Sequence, residues 1–200
     1  MRIHHNNTNV WTKPPLKFAL IVVNTYEGSS KNLGPAPYNN ALLCKENFEK
    51  LGYFVNIMLN PSVLEFDALL FQSLLAVNDS VVVYYYGHCT KAGCLQMKNG
   101  DVNNERIRLL VDKSRRCKNL TFMFDTCFSE KLVFPGVNVI ASASSNEEAH
   151  QKKFEGKEYG VFTYFFWKFF YEKHFERLLS IMMKKYSQTY VICGQKETLF

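Results

Sequence analysis

Two short stretches carry the residue types that do chemistry. Val81 to Tyr86 (VVVYYY) is apolar throughout and then runs into Gly87-His88-Cys89-Thr90, while Leu120 to Asp125 (LTFMFD) runs into Thr126-Cys127-Phe128-Ser129. A histidine beside a cysteine at a strand end has three readings: half a metal site, a fused catalytic dyad, or a histidine satisfied by its surroundings. Spacing argues against the first, because Cys89 and Cys94 are five apart with no second Cys or His pair at ligand distance, so no zinc site is expected. The second stretch changes the question. An unperturbed cysteine is mostly thiol at neutral pH, and a nearby imidazole can lower its pKa or take its proton and then return one to a leaving amine. Against that stands the plain alternative, with Cys127 a small buried apolar residue and His88 a satisfied strand-end side chain.

The elements that would position these residues alternate. Apolar runs of strand length occupy Lys17 to Asn24, Tyr53 to Leu59, residues 80–86, Leu120 to Asp125, Val137 to Ser142 and Thr189 to Cys193. Helical spacing appears at Tyr38 to Leu51, with Leu42, Leu43, Phe48 and Leu51 apolar and Gly52 as a helix-terminating residue, and at Val63 to Val77, with Leu64, Leu69, Leu70, Leu74 and Leu75 apolar. Asn104 to Lys113, Gly160 to Tyr171 and Phe175 to Tyr186 read as further helices, and Asn99-Gly100 as a tight turn. Strands alternating with helices predict an α/β fold with a mostly parallel sheet, and the continuously apolar strands predict that helices cover both faces. In such a sheet, ligands bind beyond the carboxyl ends of the strands, where both reactive stretches fall. His88 and Cys127 are thirty-nine residues apart, the length of one strand-helix-strand crossover with a hairpin inserted.

Composition sets the outer bounds. An apolar fraction of 47% and a charged fraction of 21% are ordinary for a globular chain, and 200 residues fit one domain, here 16–200 after an N-terminal arm at 1–15. The formal charge of +6 is scattered over Lys113, Arg115, Arg116, Lys118, Lys152, Lys153, Lys184 and Lys185, which does not predict a nucleic-acid partner. The N-terminus carries no apolar core of signal-peptide length and no run is long enough to span a membrane, so the expectation is a cytoplasmic protein with reduced thiols. His150 and His174 read as surface residues, and the segment His150 to Tyr159, with Lys152-Lys153, as an exposed loop.

Tyr86-Gly87-His88 and Asp125-Thr126-Cys127, in this order and spacing, resemble the two signature segments of the caspase-like cysteine peptidases, the group of caspases, metacaspases and paracaspases. The resemblance covers about residues 16–195. Lys17 to Asn24 looks like that family's first strand, Leu33 to Ala41 (LGPAPYNNA) like the loop entering its first helix, Glu46 to Val55 like the following helix-to-strand segment, and Gly160 to Tyr164 like its late helix start. The resemblance implies a three-layer α/β/α sandwich around a central, mostly parallel six-stranded sheet. It implies that His88 is the general base and acid, that Cys127 is the nucleophile, and that the backbone N–H groups of Cys89 and Cys127 form the oxyanion hole. The family usually has glycine where Cys89 stands. Asp125 matches the position where members cleaving after Arg or Lys carry an acid in the primary pocket. The partner acid expected before the first helix falls at Asn40, which leaves Glu147 or Glu148 either as a second substrate-binding acid or as solvated loop residues.

The expectation is therefore a cysteine endopeptidase acting on protein or peptide substrates after Arg or Lys, as a monomer or a weak homodimer paired through 189–193. The alternative is a catalytically silent caspase-like domain acting as an interaction module, which the Cys89 and Asn40 departures favour. A transamidase or legumain-like peptidase shares the Asp-Thr-Cys triplet, and the segment around Asn39-Asn40 fits the caspase side better. No cofactor follows from the sequence with certainty; some members of the family need calcium, and although no EF-hand-type loop is present, an acidic surface site would not show in the sequence, which leaves calcium activation open. With a basic preference, Lys152-Lys153 is the expected place for self-cleavage.

Overall fold

The structure is a computed structural model that describes residues 15–194. The arm expected at 1–15 lies almost wholly outside the described residues. Six strands form the central sheet: β1 (Lys17–Val23), β2 (Phe54–Leu59), β3 (Ser80–Tyr86), β6 (Asn119–Asp125), β7 (Asn138–Ala141) and β10 (Val191–Cys193), in the spatial order β10-β7-β6-β3-β1-β2. Every pairing is parallel except that of β10 with β7. Two hairpins stand apart from the sheet, β4 (Leu95–Met97) with β5 (Gly100–Val102) and β8 (Gln151–Phe154) with β9 (Lys157–Gly160).

The strands are apolar on both faces because both faces are covered, as expected. Side chains alternate across a strand, so Phe18, Leu20, Val22, Val81, Val83, Tyr85, Phe122 and Phe124 join one core. Ala19, Ile21, Val23, Val82, Tyr84, Tyr86 and Met123 join the other. The first core lies under α2 (Val63–Ala76) and α3 (Asn104–Ser114) and the second under α1 (Ala36–Lys50), α4 (Val161–Phe169) and α5 (Phe175–Lys185). The architecture is a three-layer α/β/α sandwich with a mostly parallel six-stranded sheet at its centre.

Local chemistry explains the element ends. Ser62 and Glu65 form a reciprocal capping box at the start of α2, and Gly52, at φ +82°, turns the chain out of α1. The helix α1 starts at Ala36, two residues before the expected Tyr38, because Pro37 sits in its first turn, where no backbone N–H is needed.

Other expectations are corrected. Leu42 of α1 and Leu64 and Leu75 of α2 face outward, and the buried apolar side chains include Ala41, Cys44 and Phe48 in α1 and Phe66, Leu70 and Leu74 in α2. The helix α2 is apolar nearly all round, so its periodicity did not single out the inner face. The segment His150 to Tyr159 is a β-hairpin rather than a loop, turning on Glu155 and Gly156, at φ +51° and +83°. Two consecutive positive φ values are what a two-residue hairpin turn requires. The last strand starts at Val191 because Thr189 is tied to the Glu147 carboxylate instead of the ladder.

Candidate active site

The strands β3 and β6 are direct parallel neighbours, and their last register pair is Tyr86 with Asp125. His88 and Cys127 each lie two residues beyond that matched pair, at the carboxyl edge of the sheet. They line one small cleft of about 80 Å3, together with Tyr86, Asp125, His150 and Gln151. The two strand ends are also tied directly, Thr126 Oγ1 donating to the Gly87 carbonyl at 2.6 Å, while the Thr126 N–H donates to Ser142 Oγ, just beyond β7, at 3.1 Å.

The His88 ring is oriented by the loop that follows β1. Its Nε2 lies 2.7 Å from the Lys31 carbonyl oxygen. A carbonyl oxygen can only accept, so Nε2 carries the proton and Nδ1 is the nitrogen left to act as a base. Gly87 is required beside it, because a Cβ there would stand 2.6 Å from Tyr85 Oη and 2.9 Å from Tyr26 Oη.

Cys127 is half-buried. Burial pushes its thiol pKa up from the ordinary value, an Ala149 backbone hydrogen bond offsets part of this, and the charges of Glu148 and Asp125 push it further up. Its resting form is therefore the thiol, and attack on a carbonyl requires a base. The next residue, Phe128, adopts a left-handed conformation at φ +54° and donates its N–H to the Glu147 carbonyl at 2.8 Å, turning the chain sharply after the thiol.

The Cys89 side chain does not conflict with an oxyanion hole. Its φ is not positive, and the side chain, 8% exposed, packs into the core under α2 and α3. Cys89 pairs with Leu95 in a bridge whose hydrogen bonds run from Gln96 N–H to the His88 carbonyl and from Thr90 N–H to the Cys94 carbonyl. The Cys89 N–H takes no part in that ladder. The buried thiol itself is pushed up to about 12, by burial first and then by Cys94 and Cys127, which suits an inert packing group.

Asp125 is 1% exposed and ends β6 beneath the cleft. Its Oδ2 accepts from Thr163 N–H at 3.2 Å and Thr163 Oγ1 at 2.5 Å, and so caps α4, which has no capping side chain of its own. Burial raises its pKa to about 6, and the Thr163 bonds, with a smaller contribution from the Ser142 hydroxyl, offset only part of that. Oδ1 has no hydrogen-bond partner. Gly160 permits this approach, since a Cβ there would lie 2.2 Å from Asp125 Oδ2. Asn40 is fully buried in α1: its Oδ1 accepts from Gly160 N–H at 3.2 Å and its Nδ2 is unpartnered.

The two candidate acids separate. Glu147 is spent on structure, its Oε2 accepting from Ser144 N–H, Thr189 N–H and Thr189 Oγ1. Burial opposes its ionisation, but these bonds prevail and hold its pKa below the ordinary value. Glu148 is exposed beside Cys127, and its charge reaches the thiol. His150 is exposed as expected and also lines the cleft, whereas His174 lies at the start of α5.

Sequence reasoning missed Lys31, Tyr26, Thr126, Gln151 and Glu158 as parts of this neighbourhood. The Tyr86 phenol is pushed up mainly by burial, then by Asp125, Cys127 and Glu158, and its Oη donates to Gln151 Oε1 at 3.0 Å, joining two walls of the cleft. The pairing of β1 with β3 sends the β1 loop to the same sheet edge, an adjacency that the sequence reading did not contain.

All six cysteines are free thiols. Among the described residues no group of three or more His, Cys, Asp or Glu is placed to hold a metal ion, and no helix is long and apolar enough to cross a membrane. No family model matches the chain, and no curated protein matches it significantly.

Proposed function

We propose that the chain is a caspase-like cysteine endopeptidase that hydrolyses peptide bonds after a basic residue. The observation that carries this reading is the single cleft shared by Cys127 and a His88 whose Nε2–H is held by the Lys31 carbonyl, which leaves Nδ1 as the base. Nδ1 takes the Cys127 proton as sulfur bonds to the substrate carbonyl carbon. The resulting oxyanion is met by the N–H groups of Cys89 and Cys127, each such donor being worth roughly 3 kcal/mol of transition-state stabilisation. Collapse breaks the C–N bond, and the imidazolium returns its proton to the departing amine. Water, deprotonated by the same Nδ1, then hydrolyses the thioester and releases the acid product.

The basic preference rests on Asp125, a buried carboxylate with one oxygen that has no hydrogen-bond partner and no paired cation among the described residues. A buried acid with a perturbed pKa lining a cleft is a candidate binding group, and a charge-assisted hydrogen bond to Lys or Arg would satisfy Oδ1. Asp125 is almost inaccessible, so the cleft it lines must widen for a side chain to reach it.

The test is turnover of a fluorogenic peptide ending in arginine, with and without calcium, beside Cys127→Ala and His88→Ala. The expected result is turnover lost in both variants, with an Arg-terminated electrophile labelling Cys127 in the wild type. Absence of both turnover and labelling in the wild type leaves the silent interaction module, which the narrow cleft favours.

A further inference from the structure

Tyr26 lies in the loop between β1 and α1, and its surroundings are unusual for a loop residue. It is one of five non-glycine residues with positive φ among the described residues, at +55°. Holding a bulky side chain there costs about 1–2 kcal/mol and persists only where the surroundings enforce it. Here they do. Asn60, itself at φ +50°, accepts the Thr25 N–H on its Oδ1 at 2.7 Å and donates its own N–H to the Val23 carbonyl at 2.9 Å. Farther along, Leu33 N–H donates to the Thr25 carbonyl at 3.0 Å and closes the loop on itself. Ser29 Oγ donates to the Tyr26 carbonyl at 2.8 Å.

What this loop holds is His88. The Tyr26 ring lies against the imidazole, with ring centroids 4.6 Å apart. Its Oη accepts the His88 backbone N–H at 2.9 Å and donates to the Gln96 carbonyl at 2.8 Å. Tyr85 Oη, 3.3 Å from Tyr26 Oη, donates to the His88 carbonyl at 2.9 Å. Lys31, five residues after Tyr26 in the same closed loop, binds Nε2. One loop thus grips the histidine by its backbone, its ring face and one ring nitrogen.

We infer that Tyr26 is the positioning residue of His88, fixing the imidazole in the Nε2–H tautomer with Nδ1 directed to the cleft. This deepens the peptidase reading and rests on it for the role of His88 as base. A neutral imidazole free to rotate would divide its proton between two nitrogens and its lone pair between two directions. The Tyr26 ring removes the rotation and the Lys31 carbonyl selects the nitrogen.

The full-length protein labelled with 15N-histidine tests this, since two-bond proton–nitrogen spectra report the tautomer directly and His88→Ala assigns the signal. The same proteins are alkylated at Cys127 with iodoacetamide across pH 5–9. Tyr26→Leu is expected to average the His88 tautomers and to slow alkylation at neutral pH by about tenfold or more, as a displaced catalytic group does, while Tyr26→Phe keeps the tautomer and a rate within about threefold of wild type. A folded Tyr26→Leu protein with unchanged tautomer and unchanged pH–rate profile overturns the inference. Should that variant lose cooperative unfolding, Tyr26→Met is read in its place. If His88→Ala leaves the Cys127 alkylation rate unchanged, the dyad reading fails, and the spectrum alone decides the role of Tyr26.

Discussion

Asp125 sets the clearest conflict at the scale of single residues. It is a fully buried acid whose pKa of about 6 lies above the ordinary 3.8, so the folded chain holds its proton more tightly than the unfolded one. Its contribution to stability is complete below about pH 4 and is lost as the pH rises through about 6, a loss on the order of 3 kcal/mol. Asp125→Asn is expected to flatten that dependence and to unfold later in urea at pH 7 than the wild type. The same change should depress turnover of an Arg-terminated peptide, because the neutral amide offers no charge to the substrate. A wild-type stability that rises between pH 4 and 6 would contradict the assignment. Cys127 gives the second titration. Its thiol is raised by burial, so in His88→Ala the alkylation rate should climb only above the ordinary thiol range, whereas with His88 in place it should already be appreciable near neutrality. Cys89 shows how far reading residue types can go: the sequence sets a side chain where glycine is expected, but only the backbone angle and the bridge to Leu95 reveal that the Cβ is harmless.

Among the elements, the strand ends of β3 and β6 do the positioning, and Thr126 fastens one to the other. Thr126→Val removes the hydroxyl that donates to Gly87 and leaves a buried carbonyl without that donor, at a cost of about 1–3 kcal/mol. The expected outcome is a lower melting temperature together with a loss of turnover larger than the stability change explains, checked by calorimetry beside kinetics. Gly87→Ala should be harsher, since its Cβ meets two tyrosine hydroxyls that hold His88. The strands, their parallel pairing and the convergence of His88 with Cys127 were legible because continuous apolar runs and the carboxyl-edge rule are strong signals. The β8–β9 hairpin was not, since its strands are four residues each and mostly polar, and its turn lacks the usual Asn-Gly or Asp-Gly pair. Tyr26 and Lys31 were illegible for another reason: Lys31 acts through a backbone carbonyl, which any residue type supplies.

For the molecule as a whole, connectivity decides where a cut could be tolerated. Between Cys127 and β7 the chain is short, includes a 3-10 turn at Ser129–Leu132, and buries Ser129, Leu132, Phe134 and Val137. Lys152 and Lys153, the expected self-cleavage site, are paired with Tyr159 and Glu158 in the β8–β9 hairpin, whereas a protease needs an extended, unpaired segment. The concentrated protein should therefore remain a single full-length band on a denaturing gel, with or without calcium, even when it turns over peptides; a clean nick after Lys152 or Lys153 would mean that the hairpin opens. The sheet is parallel except at β10, so each of its parallel neighbours is joined through a crossover, and pairings of that kind form late in folding. Cys127 acquires its imidazole only when β3 and β6 have zipped in register. On the peptidase reading proposed above, a nascent chain carries six ordinary thiols, and the reactivity of one of them becomes a clock for the completion of the sheet.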